Sequence, residues 1–464
     1  MSDISQQRLV FDLDLIKKYD QSGPRYTSYP TAVKFDEAFG EAEYREVARG
    51  SNSSDNPLSL YFHIPFCDTV CFYCACNKIA TKDRSKAAEY LLRVKKELVM
   101  QGELFDNSRP VEQLHWGGGT PTFLSGEEMR ELMRTTAKAF QLLDDDSGEY
   151  SIEIDPREAD ADTVKLLREI GFNRMSLGVQ DYDPKVQKAV NRLQSREITE
   201  NVLNAARAEG FRSVSIDLIY GLPLQTLEGF RTTLNTILDA QPDRLSIFNY
   251  AHLPELFKPQ RRIDVAELPG ASEKLDILQM TAETLEQAGY LFIGMDHFAR
   301  PDDELAVAQR EGTLYRNFQG YSTHSHCDLI GIGITSIGMV GDSYSQNLRT
   351  LDDYYSAIDS GHLPLHRGLQ LNRDDLIRRD VITRLICHFR LDFSSISSRW
   401  EIDFKAYFAA ELEGLQQMQS DGLLVVSEQG ISVEPKGRFL IRNICMRFDA
   451  YLNPQGEQRF SKVI

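Results

Sequence analysis

Four cysteines fall within ten residues, Cys67, Cys71, Cys74 and Cys76, in the pattern CxxxCxxCxC. Thiolates at such short intervals can converge on one metal centre, because a loop that turns back on itself brings their sulfurs within coordination reach. Two chemistries suit them. Structural zinc normally takes its ligands as pairs separated by a longer excursion, which this array lacks. An iron–sulfur cubane held by three thiolates leaves one iron without a protein ligand, free to chelate a small molecule through an amine and a carboxylate. Spacing alone leaves Cys76 eligible as a ligand.

A second constellation is His115-Trp116-Gly117-Gly118-Gly119-Thr120-Pro121. Three consecutive glycines permit backbone conformations and close ligand approach that a β-carbon blocks. The run matches neither the dinucleotide fingerprint nor the phosphate loop, and taken alone it reads as a sharp turn. Glu153, Gln180 and Asp217 stand near the ends of apolar runs, where a polar group facing a barrel interior needs a partner. A ribose diol, an ammonium group or an internal structural hydrogen bond would each serve. Arg192 can clamp a carboxylate bidentately, or stay a solvated charge at a helix end. The stretch Thr323-His324-Ser325-His326-Cys327 mimics a metal site, and a polar loop is the expectation for it.

These residues need a scaffold. From residue 58, apolar runs at 58–64, 113–118, 150–154, 174–179, 213–221 and 244–250 alternate with helical periodicity at 86–102, 127–140, 160–170, 195–210 and 227–240. Strand, helix, strand repeats imply an α/β fold with parallel pairing and right-handed crossovers. Six units curl into a partial, three-quarter βα barrel with functional loops at the carboxyl strand ends; an open doubly wound sheet is the competing architecture. The reading divides the chain into an amino-terminal arm (1–55) containing PRYTSYPT, the barrel (56–365), and a small carboxyl-terminal α+β domain (366–464). In that last domain, helices at 374–387 and 404–419 precede a hairpin turning at Glu428-Gln429-Gly430 and a final helix over 437–451.

Composition sets the class. The 464 residues carry a net charge of −17, which argues against nucleic-acid binding through phosphates. No run of about 18 apolar residues suggests membrane insertion, and the first twenty residues lack a secretory pattern. Seven cysteines, four of them crowded together and Cys327, Cys387 and Cys445 scattered, suit a cofactor in a reducing, cytoplasmic setting.

The triplet CxxxCxxC after the first strand of a βα series resembles the radical S-adenosylmethionine superfamily. That resemblance implies Cys67, Cys71 and Cys74 as ligands of a [4Fe-4S] cluster, leaves Cys76 spare, and gives Gly118 the methionine amino group to hold. The whole chain is similar to the oxygen-independent coproporphyrinogen III oxidase family, through GPRYTSYPT (23–31), YFHIPFC (61–67), CNKI (76–79), HWGGGTPT (115–122), IDPRE (154–158), GVQD (178–181), IDLIYGLP (216–223), FNYAHLP (248–254), GMDHFARPDDELA (294–306) and RNFQGY (316–321). Departures are small: Tyr73 where Phe is frequent and Ala75 where Gly is frequent.

The resemblance implies two S-adenosylmethionine molecules. The matching positions are Tyr61, Tyr73, Gly118, Glu153 and Ile337 for the cluster-bound one, and Gly119, Thr120, Gln180, Arg192, Asp217 and Ala251 for the second. It further implies oxidative decarboxylation of the ring A and B propionates of coproporphyrinogen III to vinyl groups, giving protoporphyrinogen IX, with a 5′-deoxyadenosyl radical abstracting hydrogen from the propionate β-carbon. The expected partners are that porphyrinogen and an electron donor such as flavodoxin or ferredoxin, acting on a monomer. A haem-trafficking paralogue is the alternative, but such paralogues usually lack the PRYTSYPT arm and the CxC-NK continuation. A tetracarboxylate substrate calls for a cationic pocket, with Arg25, Lys258, Arg261 and Arg262 as candidates, and the arm is expected to close over its mouth.

Overall fold

A computed structural model describes residues 8–452. The six apolar runs form strands β1 (Leu58–Ile64), β2 (Pro110–Gly118), β3 (Glu149–Ile154), β4 (Arg174–Gln180), β5 (Ser213–Tyr220) and β6 (Arg244–Asn249), each parallel to the next. Their order in the sheet follows their order in the chain. With right-handed crossovers that order puts every connecting helix on one face, whereas a doubly wound sheet needs a point where the order reverses. The opposite face is left free for a site.

Side-chain alternation explains why these segments are strands. In β5, Val214, Ile216 and Leu218 are buried, while Ser215 and Asp217 point the other way and are only partly covered. The helices α1 (Ser85–Gly102), α2 (Gly126–Ala139), α3 (Ala161–Glu169), α4 (Arg196–Ala208) and α5 (Leu227–Asp239) lie within two residues of their expected limits. Local chemistry starts them: Ser125, Asp160, Ser195 and Thr226 each cap an amino terminus with a side-chain oxygen.

Beyond β6 the sheet grows by antiparallel β7 (Leu291–Gly294) and β8 (His297–Ala299). A seventh parallel strand, β9 (Asp328–Ile332), pairs with β1 on its other side and leads into antiparallel β10 (Ile337–Val340), β11 (Ser343–Asn347) and β12 (Leu365–Gln370). The six-strand count missed β9, because its five residues are buried on both faces and carry no alternation.

The carboxyl-terminal hairpin forms between Leu424–Val426 and Gly430–Val433, joined by Arg390–Asp392 as a third strand. The continuous helix expected over 437–451 is instead a short helix, Ile441–Cys445, flanked by two 3-10 turns. All five residues of that helix are buried, so it packs all round instead of along one stripe. The arm is the reason. Arg442 Nε donates to Pro24 O at 2.9 Å, Asn443 Nδ2 donates to Tyr19 O at 2.9 Å, and Tyr26 donates to Asp449 at 2.9 Å. PRYTSYPT is thus part of the carboxyl-terminal packing, with Tyr26 and Tyr29 buried.

Behind β1 sits one buried carboxylate. Glu97 on α1 accepts from Tyr354 OH (2.6 Å), Asn347 Nδ2 (2.7 Å) and Gly333 N (2.9 Å), while its helix neighbour Tyr90 donates to His63 O (2.8 Å) at the end of β1. Burial pushes Glu97 up to about 7 against these hydrogen bonds. A raised folded pKa contributes stability that is complete below the unfolded value near 4.5 and is lost as pH climbs through 7. The loss between those limits is about 3 kcal/mol. Wild type should therefore lose melting temperature relative to Glu97→Gln between pH 5 and 7.5 and run parallel to it above; parallel curves throughout would refute the assignment.

Candidate active site

Past Ile64 the chain turns through Pro65 into a two-residue strand, Phe66–Cys67, that pairs in parallel with Ile79–Ala80. The cysteine loop therefore leaves and returns through one short ladder, closed by Ile79 N to Pro65 O (2.7 Å) and Thr81 N to Cys67 O (2.9 Å). The glycine run docks on the same hinge, with Gly119 N donating to Ile64 O (2.8 Å) and Thr120 N to Phe66 O (2.7 Å). Only glycine fits there. A β-carbon on Gly119 would stand 2.6 Å from Phe66 O, and one on Gly118, whose φ is +111°, would stand 2.7 Å from the His63 ring. On its far side the loop is held by Phe72 N to Val190 O (2.9 Å) and Asn191 Nδ2 to Val70 O (2.9 Å).

Cys67, Cys71, Cys74 and Cys76 face one cavity of about 280 Å³. Arg192 Nη1 and Arg157 Nη2 point N–H groups at Cys71 Sγ from 3.5 and 3.6 Å, and Thr120 Oγ1 donates to Cys67 Sγ at 3.6 Å. Hydrogen bonding from Cys76 draws the Cys74 thiol down to about 5, whereas burial pushes Cys67 up to about 11. Both guanidiniums are anchored on Asp155, at 2.8 Å from Arg192 and 2.6 Å from Arg157. Burial alone would lift the Asp155 carboxyl; the two cations hold it below the usual range. Arg192 also donates to Gly178 O at 2.5 Å. Cationic donors aimed at sulfur suit thiolates and the negative charge of a cluster they would bind.

Carboxylates line the next stretch of wall. Glu153 accepts from Gly118 N (3.0 Å) and faces His115 Nε2 at 3.5 Å; burial works against its charge, but His115 and the Gly118 amide keep it ionised. Asp217 accepts from Ser176 Oγ at 2.9 Å and is pushed up to about 6 by burial. Glu153, Ser176, Asp217 and Phe248 also border a second cavity of about 190 Å³ that continues along the concave face toward Arg174 and Arg244.

The three triplet cysteines, Tyr73, Gly118, Gly119, Thr120, Glu153, Gln180, Arg192 and Asp217 thus share one cavity. Tyr61, Ala251 and Ile337 stand outside its wall. Tyr61 stacks on His115 at 5.8 Å; the Ala251 carbonyl accepts from Gln260, which also donates to Tyr73 O; and Ile337 lies against Gly331, the register partner of Tyr61. Sequence reading missed Lys78, Asp155, Arg157, Ser176 and Phe248 as wall residues. The phrase IDPRE carried a signal for Asp155 and Arg157, since it marks the carboxyl end of β3; Ser176 carried none.

The expected cationic quartet does not converge. Lys258, Arg261 and Arg262 share one exposed 3-10 turn, with Arg262 over the Phe72 ring, while Arg25 pairs with Asp296. None of the four lines either cavity. The cations that do are Lys78 from the cysteine loop, Arg157 and Arg192 from the segments after β3 and β4, and Arg174 and Arg244, the first residues of β4 and β6.

Residues 61–237 match the Radical SAM superfamily and residues 371–440 the HemN C-terminal domain. Over 98% of its length the chain is 55% identical to an oxygen-independent coproporphyrinogen III oxidase of Pseudomonas aeruginosa, covering 99% of that protein. It is 53% identical to the protein of that name from Escherichia coli K12, over 99% of this chain and all of the relative. The solved structure described as coproporphyrinogen III oxidase (HemN) from Escherichia coli, a radical SAM enzyme, superimposes with a TM-score of 0.92 at 52% identity, covering 96% of this chain and 100% of that one.

Removing Arg192 leaves Asp155 buried with Arg157 as its remaining cation. Arg192→Met should cost about 2 kcal/mol of stability, below the full penalty of an orphaned buried charge, and should lower iron retention. Urea unfolding followed with iron analysis checks both; an unchanged midpoint would contradict the network described.

Proposed function

Because the chain belongs to the oxygen-independent coproporphyrinogen III oxidase family of the radical S-adenosylmethionine superfamily, we infer that it is an oxidoreductase converting coproporphyrinogen III to protoporphyrinogen IX in haem biosynthesis. The reaction is an oxidative decarboxylation of two propionates to vinyl groups. One observation carries the residue assignments: three thiols on a loop closed at both ends face guanidinium donors and a carboxylate-lined cavity.

The residues present fit a cluster. Cys67, Cys71 and Cys74 would hold a [4Fe-4S] centre, which when bound supplies the electron that splits S-adenosylmethionine and so the hydrogen-abstracting radical. Around it this chain's residues position and shield. Gly118, Glu153, Tyr61, Tyr73 and Ile337 would receive the first S-adenosylmethionine. Glu153, held ionised by its neighbours, offers an acceptor for an ammonium or a hydroxyl. For the second molecule the reading uses Gly119, Thr120, Gln180, Arg192, Asp217 and Ala251, with Arg192 as the donor to a carboxylate. Arg157, Arg192, Arg174 and Arg244 are the guanidiniums that these cavities offer to the carboxylates of such a substrate.

The same reading keeps the arm (1–55), the barrel (56–365) and the carboxyl-terminal domain (366–464), with strand β12 at the last junction. A monomer in the cytoplasm, reduced by a flavodoxin or ferredoxin, completes it. Supporting that setting, all seven cysteines are free, and no described helix is long and apolar enough to cross a membrane. The haem-trafficking alternative is not favoured, since the relatives named above are oxidases and both PRYTSYPT and CNKI are present.

Each of Cys67→Ser, Cys71→Ser and Cys74→Ser should lose vinyl formation in anaerobic turnover with product analysis, while Cys76→Ser keeps measurable activity; full activity in any of the first three would overturn the ligand set. Equilibrium dialysis of the reconstituted enzyme should count two S-adenosylmethionine molecules per chain in wild type and one in Asp217→Ala. A single molecule in wild type would remove the second site from the reading.

A further inference from the structure

The loop entering β9 brings a second set of metal-binding side chains together at the amino-terminal end of the parallel strands, opposite the cysteine loop. His326 Nε2 lies 3.0 Å from Oε2 of Glu112 on β2, and His324 Nδ1 lies 3.5 Å from the same oxygen. Ligand atoms of Glu112, His324, His326 and Cys327 all fall within 4.8 Å of one another. The residues 323–327 form a turn, as a polar loop should, and the turn is what lets 324, 326 and 327 face one point.

The ring of His324 is already oriented. Its Nε2 faces the buried Glu149 carboxylate at 3.6 Å, and Glu149 is in turn fixed by Gln113 Nε2 at 2.8 Å. Its Nδ1 is buried without a hydrogen bond among the described residues and aims into the cluster. A histidine with one nitrogen facing a carboxylate and the other turned toward a cluster of potential ligands is placed as metal-ligating imidazoles are.

We propose that Glu112, His324, His326 and Cys327 bind one zinc ion in a closed, structural site. Two imidazoles, a thiolate and a carboxylate suit zinc and disfavour magnesium or calcium, which take oxygen ligands. Zinc bonds of roughly 2.0–2.3 Å imply ligand-to-ligand distances of about 3.3–3.8 Å, so the observed cluster closes with small side-chain movements. On binding, the Cys327 S–H bond breaks, the sulfur keeps the electron pair to bond zinc, and the proton passes to water. The ion joins β2 to the turn before β9, the two strands that flank β1, and so clamps the strand that carries the cysteine loop. A groove bordered by His326 and Cys327 provides entry.

The test uses the cluster-loaded enzyme, stripped of loose metal with a chelator, given zinc and gel-filtered under anaerobic conditions. Wild type should keep one zinc per chain by elemental analysis, with cluster iron unchanged. His326→Ala, whose side chain is half exposed, and Cys327→Ala should hold zinc at least about tenfold more weakly in chelator competition. Cobalt separates this site from the cluster loop: a thiolate-to-cobalt absorption band should persist in the Cys67→Ser/Cys71→Ser/Cys74→Ser variant and vanish in Cys327→Ala. Should Cys327→Ala fail to fold, His326→Ala decides through zinc stoichiometry. No zinc in wild type, equal retention by His326→Ala, or a cobalt band that depends on the triplet cysteines alone would overturn the proposal.

Discussion

Everything at the carboxyl end of the sheet depends on closing a loop of thiols over a very short base. Pairing between Phe66–Cys67 and Ile79–Ala80 fixes both ends of the cysteine segment, and the amides of Gly119 and Thr120 bind the same hinge from β2. Without that closure, the sulfur of Cys67 and those of Cys71 and Cys74 on the connecting segment 68–78 would have no reason to share a point, because the entropy of an unconstrained loop favours spreading them. The bare glycine backbone matters for the same reason: any β-carbon at Gly118 or Gly119 would push β2 off β1 and open the base.

The electrostatics of this site run against those of the molecule. A chain with a net charge of −17 concentrates buried guanidiniums, Arg157 and Arg192, on the sulfur of Cys71 and on one shared carboxylate. Burial makes unpaired charge costly, so Arg157 and Arg192 are held by Asp155 and, farther along the concave face, Arg174 and Arg244 by Glu304 and Asp303. Along the concave face these guanidiniums share the cavity walls with Glu149, Glu153 and Asp217, so cations and carboxylates stand side by side.

The two ends of the strands are organised differently. Carboxyl ends carry glycines, thiols and half-satisfied carboxylates, the features that receive ligands. Amino ends carry charged pairs, some buried and some partly exposed: Arg109 with Asp328, Arg174 with Glu304, Arg244 with Asp303, and His324 facing Glu149. Those pairs tie β4 and β6 to the start of the helix Glu304–Glu311, the residue before β2 to β9, and β3 to the turn before β9.

Residue order alone settled the periodic part of the molecule. Strands β1 to β6 and helices α1 to α5 followed from apolar spacing and capping residues, and the crowded cysteines marked one loop as a candidate metal centre, because these signals are local and each spans a few consecutive residues. Tertiary structure decided whatever depends on segments far apart in the chain. It placed β9 beside β1 across more than two hundred residues, shortened the expected last helix to Ile441–Cys445 packed against the arm, and put Arg157, Arg174 and Arg244 on the cavity walls in place of Arg25 and the 258–262 turn. Spacing in sequence cannot encode which distant surface a side chain meets; only packing, which sets burial and partner together, determines that.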